Sequence, residues 1–121
     1  PNFIGVHEML DPQVEAVREM TDTIAERIAT LGGIPVGTPK SIVDRRTWNE
    51  YSLGKGLVTE HLGALDKVYN GINADHRKAI EAVSDLDPVS EDMLISQLAD
   101  LEQFQWFVRA HIESSTGELT Q

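Results

Sequence analysis

Apolar side chains recur at steps of three or four from Phe3 to Leu31: Phe3, Val6, Leu10, Val14, Val17, Met20, Ile24, Ile28 and Leu31. That is the helical period, and it predicts one long amphipathic helix over this stretch. Gly32–Gly33 and Pro35 follow, a glycine cap and then a residue that cannot continue a helix. Pro12 falls inside the period, where it removes a backbone hydrogen bond and crowds the preceding turn. Either the helix kinks there, or Asp11 caps a new helix with Pro12 at its first position. The apolar period does not break at Pro12, which favours one kinked helix.

Residues 32–54 read as a connection, in which Thr38–Pro39 starts a short helix through about Arg45. A second long helix is expected over about Lys55–Val83, with the stripe Val58, Leu62, Leu65, Tyr69, Ile72, Ala79, Ile80 and Val83. A third is expected after Ser90, read as its N-cap, with Glu91 and Asp92 in its first turn. Its stripe is Leu94, Leu98, Leu101, Phe104, Val108 and Ile112. The tail after Ser114 is polar and reads as loose. No strand pattern or internal repeat appears. Three long helices with one apolar stripe each predict an all-α bundle in a single domain over 1–121. A bundle of this kind closes with a fourth helix, expected upstream of Pro1 or from a partner chain.

Composition narrows the chemistry. There are no cysteines, which removes thiolate metal sites and leaves imidazole and oxygen ligands. The net charge is -10, which repels nucleic acid unless basic residues are gathered somewhere. The densest basic spots, Arg45–Arg46 and Arg77–Lys78, are single pairs. The excess of carboxylates suits a hard cation, or serves solubility alone. No apolar run is long enough to cross a bilayer and no signal-peptide pattern opens the chain, so the expected location is the cytoplasm.

The informative chemistry is a polar stripe on the first helix. His7, Asp11, Glu15, Glu19, Asp22 and Glu26 follow at steps of three or four and share one side. Asp22 and Glu26, four residues apart, can grip one cation together. His7 lies fifteen residues before Asp22, about 22 Å away along a helix rising about 1.5 Å per residue. Within one chain they cannot share an ion. In a two-fold antiparallel pair, His7 of one copy can face Asp22 and Glu26 of the other, giving two equivalent sites. Imidazole with two carboxylates suits iron, manganese or zinc.

The segments "NFIGVHEMLDPQVE" and "DTIAERIATLGGIPVGTP" resemble the second helix of the Dps family, the mini-ferritins. Phe3, Val6, His7, Glu8, Asp22, Ala25, Glu26, Arg27 and Gly32 match the family pattern, as does the spacing from His7 to Asp22. Downstream, "RTWNEYS" and "LEQFQWFVRAHIES" resemble the family's connecting segment and last helix. The resemblance implies a ferritin-like four-helix bundle, of which this chain carries three long helices and a short connecting one. It also implies a hollow dodecamer with ferroxidase sites at two-fold interfaces, Fe(II) oxidised preferably by hydrogen peroxide, and ferric mineral stored inside. His7 is then a ligand from one subunit, and Asp22 and Glu26 are ligands from its neighbour, with Glu26 as the bridge between metal positions. Asp11 is a further acidic group near the site. Asp85, Asp87 and Asp92 are expected at the iron-entry pores, and Glu8 and Glu15 at mineral nucleation. The family also places a His followed by Trp on a helix that would precede Pro1; no His–Trp pair occurs in this chain.

The alternative reading is a nucleoid protein that binds and compacts DNA. Twelve copies would carry roughly -120, so DNA would need basic tails not seen here. A third reading is a helical scaffold without metal chemistry, in which the polar stripe only faces water. Of the remaining histidines, His61 is expected to be packed and hydrogen-bonded, His76 to lie at the surface, and His111 to lack a convergent third ligand. Trp48, Phe104, Trp106 and Phe107 read as packing residues rather than redox relays.

Overall fold

The computed structural model describes residues 3–116 and residue 119. The described residues form helices and no strands: α1 Phe3–Thr30, α2 Pro39–Arg45, α3 Val58–Val83 and α4 Pro88–Thr116. Three long helices and one short one match the expected all-α class. The polar tail after Ser114 lies, beyond the helical backbone to Thr116 and apart from Leu119, outside the described residues. No described helix is long and apolar enough to cross a membrane. Two compact units divide the chain at Arg46–Thr47.

The first unit is α1, its cap and α2. α1 runs unbroken through Pro12, so the apolar period outweighs the hydrogen bond that proline withholds from the Glu8 carbonyl. It closes in a Schellman turn. Gly33 N–H donates to the Ile28 carbonyl at 2.9 Å and Gly32 N–H to the Ala29 carbonyl at 3.0 Å. Gly32 takes φ +88° there, a left-handed conformation that glycine adopts without a Cβ clash. α2 starts where the sequence places it: the Thr38 hydroxyl accepts from Ser41 N–H at 3.3 Å, and Pro39 occupies the first position. None of α2 is buried.

The second unit is an antiparallel hairpin of α3 and α4, strapped by residues 47–57. Trp48 is packed against Gly71, where an added Cβ would meet the Trp48 Cβ at 2.8 Å and its indole at 3.2 Å. The Thr47 hydroxyl donates to the Asp75 carboxylate at 2.7 Å. His61 then ties down the rest of the strap. Its Nε2 accepts from Gly56 N–H at 3.3 Å. Its Nδ1–H can then donate to the Tyr51 hydroxyl, 2.8 Å away, which itself donates to the His61 carbonyl at 3.2 Å. This bears out His61 as a hydrogen-bonded, half-buried residue and shows why α3 starts at Val58 rather than Lys55. Gly54 takes φ +153°, and Gly56 and Leu57 are held in the strap instead of the helix. Leu57 N–H is satisfied by the Glu60 carboxylate at 2.8 Å.

α4 also starts earlier than the sequence suggested. Asp87, not Ser90, precedes the helix: its carbonyl accepts from Glu91 N–H at 3.0 Å, and Pro88 takes the first position, which its missing N–H suits. Ser90 lies inside the first turn, buried, and donates its hydroxyl to the Asp87 carboxylate.

The hairpin buries Leu62, Leu94, Leu98, Leu101 and Val108, all on the expected stripes. It also buries polar groups that apolar periodicity does not reveal. Gln105, 7% exposed, sits at the centre. Its amide nitrogen donates to Asn70 Oδ1 at 2.7 Å and Asp66 Oδ1 at 2.9 Å, and its oxygen accepts from Asn73 at 2.9 Å. Arg109 completes the cluster from outside, 2.8 Å from Asp66 and 3.0 Å from Asn70. The Gln105 amide faces two oxygens on one side and the Asn73 nitrogen on the other, so neither amide can flip without opposing like groups. Asn73 Oδ1 is left without a hydrogen-bond partner.

Replacing Gln105 with Ala strands the buried Asn73 amide nitrogen and takes one donor each from Asn70 and Asp66, which keep Arg109, and should cost about 2–3 kcal/mol in urea unfolding. Arg109→Ala loses a half-exposed ion pair and should cost less than about 1 kcal/mol. Tyr69, 5% exposed, is a second buried polar group, and burial pushes its phenol up to about 12 from 10.0. The unfolded chain therefore loses this proton first as pH rises, and the stability held below pH 10 falls between 10 and about 12. Tyr69→Phe should remove a loss on the order of 2 kcal/mol over that window, read by unfolding at a series of alkaline pH values.

Candidate metal centre

α1 supplies every residue of the expected centre. Because the helix is continuous from Phe3 to Thr30, His7, Asp11, Asp22 and Glu26 hold fixed places on one rod, and all four are exposed. Asp22 and Glu26 stand one turn apart, with side-chain roots about 6 Å from each other. His7 stands about 22 Å from Asp22 along the axis. Among the described residues, no group of three or more His, Asp or Glu side chains converges on one point. The chain thus brings the two carboxylates near each other and does not bring the imidazole to them.

The His7 ring makes no hydrogen bond to the described residues, so both nitrogens are open. It lies face to face with Phe3, ring centroids 5.8 Å apart and planes 4° from parallel. Thr30 donates its hydroxyl to the Glu26 carbonyl at 2.8 Å, which leaves the Glu26 carboxylate uninvolved in that contact. Glu8 and Glu15, the nucleation candidates, are exposed on the same helix. An open imidazole and a pair of exposed carboxylates are donor types suited to a borderline or hard divalent cation, though this chain holds them apart.

The pore candidates separate. Asp85 lies exposed in the turn between α3 and α4, and Asp92 is exposed one turn into α4. Asp87 is engaged in capping α4 and holds the Ser90 hydroxyl. The capping position expected for Ser90 therefore belongs to Asp87.

One imidazole, His76, and one indole, Trp106, sit elsewhere than expected. His76 is half-buried, its Nε2 3.0 Å from Gln97 Oε1 on α4, rather than at the surface. A polar i, i+3, i+7, i+10 row on α3 (Asp66, Tyr69, Asn73, His76) was the signal for this interior. His111 is half-buried, with Nδ1 2.7 Å from the Phe107 carbonyl. Trp48 packs as expected. Trp106 is 61% exposed, tilted against Phe107 with ring centroids 5.3 Å apart, and so is not a core residue of the chain.

Comparison with known proteins places these features in a family. Residues 1–116 match the ferritin-like domain. The DNA protection during starvation protein of Mycolicibacterium smegmatis is 61% identical over 120 residues, which is 99% of this chain and 66% of that protein. The chain therefore spans just under two thirds of that relative's length. The solved structure of Mycobacterium smegmatis Dps in a tetragonal form is 60% identical, with a TM-score of 0.90 over 100% of this chain and 74% of the other. DpsA14 from Streptomyces coelicolor is 56% identical, with the same TM-score over 100% of this chain and 72% of the other.

Proposed function

Because the chain belongs to the Dps family of ferritin-like proteins, we propose that it oxidises Fe(II) and stores the ferric product in a cage of identical subunits. The carrying observation is the single unbroken helix that holds an open imidazole and a carboxylate pair on one side, about 22 Å apart. That spacing makes a complete site a property of two copies. His7 of one copy joins Asp22 and Glu26 of its mate, with Asp11 beside them, and two-fold symmetry doubles the arrangement.

The apolar surface of the same unit supports association. Leu31, Ile34, Val36, Ile42 and Val43 are all more than half exposed, and exposed apolar side chains concentrated in one stretch of chain fit an interaction site. In a cage of twelve, Asp85 and Asp92 would draw cations inward, and Glu8 and Glu15 would offer carboxylates to growing mineral.

Iron is the substrate. Each of two Fe(II) ions gives up one electron. Hydrogen peroxide accepts both electrons, its O–O bond breaks, and with two protons it leaves as two water molecules. Pairing the electrons avoids the single-electron step that would release hydroxyl radical. The carboxylates stabilise the rising charge on iron, and the imidazole holds its position without adding negative charge.

Protection of DNA, the property in the name of the M. smegmatis relative, follows from removing Fe(II) and peroxide together. Direct compaction of DNA by the surface of this chain is disfavoured by its net charge of -10. The chemistry fits a cytoplasmic protein.

Asp22→Ala combined with Glu26→Ala should remove the peroxide-dependent loss of Fe(II) while leaving helix content and assembly size unchanged. Stopped-flow oxidation of Fe(II) by hydrogen peroxide measures this; an unaltered rate in the double variant rules out the site.

A further inference from the structure

We infer that Phe3 is a positioning residue for the metal centre, acting through His7; the inference rests on the ferroxidase reading of that site. An imidazole that binds a metal is ordinarily aimed by a hydrogen bond from its second nitrogen to a carboxylate or carbonyl, which fixes both tautomer and orientation. His7 has no such bond to the described residues. Asp11, the carboxylate one turn away on the same face, makes no hydrogen bond to the ring. What restrains the ring is its stack on Phe3, with centroids 5.8 Å apart and planes 4° from parallel.

The stack is a product of helix geometry. Side chains lean toward the N-terminal end of their helix, so a residue at i+4 settles over the residue at i. His7 therefore comes down on Phe3, the first residue of α1. Offset parallel rings attract beyond their area of contact. The contact uses the flat face of the imidazole and leaves both nitrogens on its free edge. A flat ring at position 3 thus narrows the ring's freedom without occupying a ligand atom. Phe3 is 65% exposed within the chain, which leaves its ring face available to His7.

Binding of Co(II), an air-stable stand-in for Fe(II), tests this in the assembled full-length protein, with Phe3→Leu, Phe3→Tyr and His7→Ala beside the native chain. Phe3→Leu keeps apolar bulk and loses the ring face; it should weaken Co(II) binding by about 3- to 10-fold. It should also raise the Fe(II) concentration for half-maximal oxidation while the maximal rate holds. Phe3→Tyr, which keeps the face, should restore native affinity. If Phe3→Leu does not assemble, Phe3→Met carries the same comparison with a flexible side chain. Native Co(II) affinity in the assembled Leu or Met variant, alongside a loss in His7→Ala, overturns the role of Phe3 and leaves the metal site standing. Native affinity in His7→Ala overturns the site itself.

Discussion

A helix rises about 1.5 Å per residue and cannot fold back on itself. That constraint governs the functional reading. His7 and the Asp22–Glu26 pair lie on one side of a helix that continues through Pro12 to Thr30, so their separation is fixed by covalent geometry. No rotamer change brings an imidazole across fifteen residues of helix. On the proposed reading, the metal-binding set is complete only when a second copy lies alongside in the opposite sense. Catalysis and assembly would then be one property, because an isolated chain would hold only separate parts of each proposed site.

The same logic suits the unit of α1 and α2, which has little interior of its own. Its polar stripe is the proposed cation site, and its apolar residues around α2 remain exposed. The hairpin of α3 and α4 is built differently. Its stripes meet each other, and a set of amides crosses between the helices. Gln105 fixes this register by linking three residues of α3. A slip of one turn would separate all of them, and each buried amide left unpaired would carry a desolvation cost. The polar interior therefore specifies one alignment, a task that interchangeable leucines do poorly.

Most of the helical layout was legible in the sequence because the apolar period is long and regular. α1 and α2 end within a residue of their expected bounds, since glycine and proline mark them. The starts of α3 and α4 were misjudged for local reasons. At α3, residues 55–57 carry a helical pattern but are held in a strap by His61 and Glu60. At α4, Ser90 resembled a cap, whereas Pro88 fits the first position and leaves Asp87 to precede it. The polar interior escaped notice because asparagine and glutamine read as surface residues until their partners are known. The metal-site candidates were legible for the opposite reason: a His and acids in helical register need no tertiary information to share a face. What aims the His7 ring was not legible, because a Phe at i−4 looks like any other member of the apolar stripe.

Hybrid assemblies test the requirement for two copies most directly. Subunits carrying His7→Ala would be mixed with subunits carrying Asp22→Ala and Glu26→Ala, dissociated and reassembled together. In each mixed pair one site loses all its ligands and the other keeps the native imidazole and both native carboxylates. The account predicts that peroxide-dependent Fe(II) oxidation, absent from either variant alone, returns in the mixture. A mixture as inactive as its components, despite verified mixed pairs, would contradict it.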